Sequence, residues 1–136
     1  MHTPTLEVDK HPPGELRSWR HHVLQPLTKD PRRTDPRVPG RSVHEDVVVT
    51  RLADHLTPVL LQACASGARF GEVWIRTVLE DMPSFDLQMI DVLVTGVLVS
   101  LEDGALVETV HLSYRGIRWI STFDGVTSER AWEAAG

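Results

Sequence analysis

VVVTRLADHLTPVLLQACASGARFGEVWI, residues Val47–Ile75, places one short helix inside a strand-rich chain, and each end of that helix is marked. The Thr57 hydroxyl is placed to cap free amides, and Pro58 suits the first helical position, where a missing N–H costs nothing. Gly67 can take the left-handed conformation that closes a last turn. The spacing predicts a helix over about 58–66, roughly 13 Å long at the usual rise per residue. Val59, Leu60, Leu61, Ala63, Cys64 and Ala65 are apolar, while Gln62 and Ser66 form a thin polar stripe. So narrow a stripe predicts a helix wedged against a sheet over most of its circumference.

Working outward, Ser42–Leu52 and Phe70–Glu80 read as strands on either side. Asp81-Met82-Pro83-Ser84 reads as a turn, and Asp86–Leu101 as a long apolar strand with a bulge or bend at Gly96. Glu102-Asp103-Gly104 is a hairpin turn. The next strand alternates cleanly, with Leu106, Glu108, Val110, Leu112 and Tyr114 on one face and Thr109, His111, Ser113 and Arg115 on the other. Arg115-Gly116 predicts a kink or tight turn before Ile117–Phe123. Residues 124–136 form a tail, with a short helix expected around Glu129–Ala134. Upstream, Thr5–Val23 reads as two strands joined at Pro12-Pro13-Gly14, the second running GELRSWRHHV.

Between Gln25 and Arg41 lies QPLTKDPRRTDPRVPGR, whose prolines at 26, 31, 36 and 39 predict a long loop without regular structure. Lys29, Arg32, Arg33, Arg37 and Arg41 outweigh Asp30 and Asp35 there, a local charge of +3 on a chain of net charge −5. A basic arm on an acidic body favours docking onto another copy. About seven short strands, one helix and frequent turns predict a mainly β fold, a small barrel or sandwich with a flanking helix. The 136 residues suit a single domain, with a core over about 14–123 and a tail over 124–136.

Net acidity argues against a general nucleic-acid binder, and the basic loop lacks aromatics for base stacking. Cys64 is the sole cysteine, so an intrachain disulfide and a thiolate zinc site are both excluded. No apolar run is long enough to span a bilayer, and the N-terminus lacks the apolar core of a cleaved secretory signal. Synthesis and folding in the cytoplasm are therefore expected, with exit by a route that needs no cleaved signal peptide left open.

The seven histidines lack ligand spacing, and His21 and His22 should point to opposite faces of a strand. No metal site and no cofactor are expected. Cys64 reads as a buried small hydrophobe, no serine elbow or phosphate loop is present, and no catalytic residue is assigned. Glu108 is unusual because it interrupts an apolar face. A structural ion pair with an arginine is the favoured reading, ahead of a catalytic acid of shifted pKa. Trp19, Trp74 and Trp119 read as core or interface anchors.

Three blocks, in order, resemble the haemolysin-coregulated protein (Hcp) family, the tube-forming proteins of type VI secretion systems. ELRSWRHHV followed by a long loop is the first. The second is Val47–Ile75, with Thr50, Arg51, Asp54, Thr57, Pro58, Leu60, Ala63 and Gly67 at signature positions. ETVHLSYRGIRWISTF is the third, matched at Glu108, Val110, Leu112, Tyr114, Ile117 and Trp119. The likeness spans about Gly14–Phe123. Two departures stand out: the N-terminal part is shorter than is usual in the family, and the loop carries proline and arginine where the family has glycine and small residues.

The resemblance implies a small β-barrel with one flanking helix, assembling into hexameric rings that stack into a tube. It implies a non-enzymatic structural subunit, with sheath, spike or effector proteins as further partners and secretion through the apparatus. Trp19, Asp54, Thr57, Pro58, Gly67, Glu108, Tyr114 and Trp119 are then structural signature residues. The cations Lys29, Arg32, Arg33, Arg37 and Arg41 mark the loop expected to reach a neighbouring ring or another partner. A ligand-binding barrel or enzyme with a pocket near Glu108, or an adaptor using the basic loop, are the competing readings.

Overall fold

The structure, a computed structural model, describes residues 3–80 and 83–135. The turn expected at Asp81-Met82 lies outside the described residues. In chain order the elements are β1 (Thr5–Val8), β2 (Gly14–Glu15), β3 (Ser18–Arg20), β4 (Val23–Leu24), β5 (Leu27–Lys29), β6 (Arg37–Pro39), β7 (Val43–His44) and β8 (Val47–Leu52). Then follow α1 (Thr57–Ser66), β9 (Arg69–Val78), β10 (Ser84–Glu102), β11 (Ala105–Phe123) and β12 (Val126–Glu133).

The scaffold is the β10–β11 hairpin. Its turn places Asp103 and Gly104 at φ values of 50° and 80°, the left-handed pair that matches the twist of the flanking strands. Antiparallel pairing runs from Glu102↔Ala105 to Ser84↔Thr122. One register shift interrupts it, between Val94↔Leu112 and Gly96↔His111, leaving Thr95 as the extra residue. The bulge moves the inward positions of β10 from Val92 and Val94 to Val97 and Val99, which face Val110 and Glu108.

Around this hairpin the main sheet runs β2-β1-β9-β10-β11-β8-β3, and β12 also pairs with β11. The two occupy different lengths of β11, β8 along Val107–Leu112 and β12 along Gly116–Phe123. The sheet curls until its terminal strands, β2 and β3, are successive pieces of one segment. Gly14–Glu15 pairs with β1, while Ser18–Arg20 pairs with β8. At the corner Leu16 N–H donates to Pro4 O at 2.7 Å and Arg17 N–H to Thr50 O at 2.8 Å. This segment is the seam of the barrel. The interior is filled by Leu6, Val8, Leu16, Val47, Val49, Leu56, Leu60, Val73, Ile75, Leu87, Met89, Val92, Leu112 and Ile117.

A mainly β barrel-like fold with one short helix is as expected, but several local readings are corrected. GELRSWRHHV is not one strand, because the seam must turn at Leu16-Arg17 to reach both edges. The proline-rich loop holds a hairpin, with Leu27↔Pro39, Thr28↔Val38 and Lys29↔Arg37 paired. Proline lacks a donor but keeps its carbonyl, and here Pro26 O accepts from Gly40 N–H and Pro36 O from Asp30 N–H. Arg115-Gly116 makes no tight turn, since β11 continues through it and Gly116 pairs with Ile90 and Glu133 on either side. The ladder is irregular there, however: Asp91 and Arg115 form no rung, Asp91 has φ 51°, and the buried face passes from Tyr114 to Ile117. The tail helix expected at Glu129–Ala134 is instead strand β12, joined to β11 by a left-handed Asp124-Gly125 turn.

The helix too differs in detail. Its buried residues are Thr57, Leu60 and Ala63, while Leu61, Ala65 and Pro58 are exposed, so one face packs and not most of the circumference. Cys64 is only half-buried. Thr57 is the first helical residue and caps nothing ahead of it. Its hydroxyl accepts backwards from Asp54 N–H at 3.0 Å, while Asp54 Oδ1 accepts from Leu56 N–H at 2.8 Å. Gly67 closes the helix at φ 72°, its N–H donating to Ala63 O.

Candidate assembly surface

The predicted partner residues gather on the arm. There Arg32 Nε–H donates to Asp30 at 3.3 Å, and Arg37 Nη2–H to Asp35 at 2.9 Å. The Arg37 side chain holds the Asp35 carboxyl below its usual range. Each aspartate also accepts a backbone N–H from the arginine two residues on, which stiffens the turn. Among the described residues, Lys29, Arg33 and Arg41 have no ion-pair partner, so the net +3 of the arm is presented outward. Apolar Val23, Leu24, Leu27 and Val43 are exposed at the arm's base.

An aromatic clamp fixes that base to the barrel. His44 of β7 stacks on Trp132 of β12, with ring centroids 3.5 Å apart, and meets Tyr114 of β11 edge-on. Its Nδ1 lies 3.0 Å from the Tyr114 hydroxyl, and its Nε2 3.0 Å from the Ser42 hydroxyl. His21 lies against Tyr114 and Trp119, and Trp119 Nε1–H donates to His21 Nε2 at 2.9 Å. Burial pushes the Tyr114 phenol up to about 12, with the Asp46 charge adding to it. Sequence reasoning singled out Tyr114 and Trp119 but missed His44 and Trp132. A tryptophan in an otherwise polar tail was the available signal.

A second cluster gathers the other signature residues. Glu108 of β11 and Arg51 of β8 stand opposite each other in register, with no exposed surface, joined from Arg51 Nε to Glu108 Oε1. Arg51 also pairs through Nη2 with Asp54. Gly14 of the seam packs on them, where an added Cβ would lie 2.5 Å from Arg51 Nη1 and 2.6 Å from Asp54 Oδ2. Asp54 and Glu108 therefore meet at Arg51, with Thr57 bonded to the Asp54 backbone, whereas Gly67 is at the far end of α1. Trp19 lies on the seam, donating to Thr77 Oγ1 at 2.9 Å and stacking on Phe85. Arg51 was legible in the sequence, since Val47, Val49 and Arg51 alternate onto the same apolar face.

Unpaired apolar edges complete the surface. Beyond Leu93↔Arg69, β10 has no strand partner on its β9 side among the described residues. The protruding hairpin carries Leu98, Leu101 and Leu106, which are 67%, 71% and 52% exposed. Leu101 pairs with Leu106 as a continuation of the inward face past the end of the packed interior.

The sequence profile of the family described as type VI secretion system effector, Hcp, matches residues 12–120. The chain belongs to the Hcp family. It is 28% identical over 134 residues to the major exported protein of Pseudomonas aeruginosa, covering 88% of this chain and 74% of that one. Among solved structures, a type VI secretion system effector from Yersinia pestis superposes with a TM-score of 0.78 at 12% identity, covering 96% of this chain and 99% of that one. Hcp1 from Salmonella typhimurium gives 0.77 at 22% identity, covering 96% and 93%. These two share the fold. Hcp proteins are structural components of secretion machinery.

Proposed function

We propose that this chain is a ring-forming subunit of a type VI secretion tube, six copies closing side by side, with the basic arm reaching the next ring. Membership of the Hcp family over residues 12–120 carries this reading. The geometry supports it in two ways. Unpaired strand edges with exposed leucines are aggregation-prone in a monomer, and side-by-side contacts within a closed ring cover them. The arm is a stiff hairpin held by the aromatic clamp, so it presents Lys29, Arg33 and Arg41 on a defined path toward an acidic neighbour.

Light scattering on the purified chain tests the ring. Six times the 15.3 kDa chain mass, about 92 kDa, is expected across a wide concentration range, with annular particles in negative-stain images. A monomer at every concentration would remove the reading. End-to-end columns of rings would establish that the rings stack.

A further inference from the structure

The arm is tied to the barrel through two histidines that respond differently to a proton. An indole nitrogen can only donate, so the Trp119–His21 hydrogen bond requires a lone pair on His21 Nε2 and places the ring proton on Nδ1. His21 Nδ1 is buried without a partner. The neutral ring therefore satisfies one nitrogen, and the imidazolium satisfies neither. His44 differs, because both of its nitrogens face hydroxyls, those of Tyr114 and Ser42. A hydroxyl can rotate to donate or accept, so His44 keeps both bonds in either charge state.

The charges around His21 come from several elements. On its own segment are Arg20 and His22, which share a cleft with Glu45 and Asp46 from the turn before β8. Glu45 is engaged by His22 at 3.0 Å, and Asp46 accepts from the Thr95 hydroxyl. From β7 comes His44, and from β11 Tyr114. On the far side of His44, Trp132 and Glu133 of β12 lie with Arg41 and Ser42 along a second cleft. Burial foremost, then His44 and His22, hold His21 below its usual 6.5, and burial lowers His44 as well.

We propose that the His21–Trp119 contact is an acid-released latch on the arm: neutral His21 holds the arm against the barrel, and protonated His21 lets it swing free. The direction follows from linkage. Freed from the barrel, His21 regains its ordinary affinity for a proton, so the loosened state takes up a proton that the latched state resists. The latch is at full strength above pH 6.5 and weakens by about tenfold per pH unit as pH falls from there toward the lowered value. Because His44 and Trp132 share the clamp, β12 loosens with the arm. Any effect on ring stacking rests on the proposed use of the arm, whereas the following measurement reads the latch alone.

Amide hydrogen exchange on the full chain, in the assembly it adopts, is followed from pH 7.5 to 5.5 and corrected for the intrinsic rate. Protection over residues 23–44 should fall relative to the β8–β11 amides, by up to about tenfold. In His21→Gln, whose amide oxygen can accept from Trp119 without titrating, only the smaller fall contributed by buried His44 should remain. In His44→Gln the fall should persist. Unchanged protection in the wild-type chain, or an equal fall in His21→Gln, overturns the latch. Should His21→Gln fail to fold, an NMR titration of the wild-type His21 ring decides. The arm amides must begin to lose protection near pH 6.5 and stop losing it where that ring titrates, and a ring that titrates with no shift below 6.5 overturns the proposal.

Discussion

Arg51 and Glu108 face each other across β8 and β11 with no solvent-exposed surface, an ion pair enclosed between the seam, the helix entry and the wall of the barrel. A buried pair contributes little over an apolar pair of similar size, but breaking it strands part of the Arg51 charge in the interior, with Asp54 left as its partner. Glu108→Ala should therefore destabilise the fold, by up to about 3–5 kcal/mol, a large part of a typical domain's stability. Replacing both partners, Arg51→Met with Glu108→Leu, should recover most of that loss. Urea denaturation of the two variants beside the wild type checks the prediction. A double variant no better than Glu108→Ala would mean that the pair itself, and not the stranded charge, carries the stability.

Gly14 is the point where the seam crosses this cluster. Its backbone is ordinary, so the requirement for glycine is one of space and not of φ: a methyl group there would collide with Arg51 Nη1 and Asp54 Oδ2. Arg51 is pinned by two carboxylates and cannot retreat. Gly14→Ala should cost about 1–3 kcal/mol, in the range of an overpacked core. The loss should appear first as faster amide exchange at Leu16 and Arg17, whose hydrogen bonds close the barrel.

The parts of the fold that were legible in the sequence are those where local pattern and tertiary role agree. The alternation of Leu106–Tyr114, the Asp103-Gly104 turn and the closure of α1 at Gly67 need only near neighbours to specify them. The misreadings share one cause, a distant strand that completes a segment with a weak pattern of its own. Residues 126–133 are mostly polar and exposed, and they become a strand because β11 extends beyond β8 and offers a free edge. The proline arm pairs because its carbonyls, not its missing donors, carry the bonds at Pro26 and Pro36. Of the two functional clusters, the Arg51 group was half visible as charges on apolar faces. The clamp was hidden, since His44 and Trp132 come from two segments without clear periodicity.

The Asp124-Gly125 turn was the overlooked signal in the tail. Both residues have positive φ, 52° and 75°, and glycine is the residue that takes such a value without strain. Gly125→Ala should weaken the β11–β12 hairpin by about 1 kcal/mol or more. β12 should then lose amide protection while the β8–β11 pairing keeps its own. Trp132 would leave His44 more often, so its fluorescence should become more accessible to a soluble quencher. Equal loss of protection throughout the sheet would show instead that β12 is integral to the cooperative core.

The last test concerns what the arm meets. With Arg32 and Arg37 held by Asp30 and Asp35, the charges free to engage a neighbour are Lys29, Arg33 and Arg41. Changing all three to glutamate reverses the arm from +3 to −3 while leaving its internal pairs and its clamp untouched. If the arm joins one ring to the next through acidic groups, the variant should keep the ring mass and lose end-to-end columns in negative-stain images. Raising salt should mimic the substitution in the wild-type chain, because exposed charges are screened over about 8–10 Å at moderate ionic strength. Loss of the ring itself would place the arm at the side-by-side contact. Columns that survive both the reversal and high salt would require that the rings meet through the apolar residues at the arm's base, Val23, Leu24, Leu27 and Val43, and not through its charges.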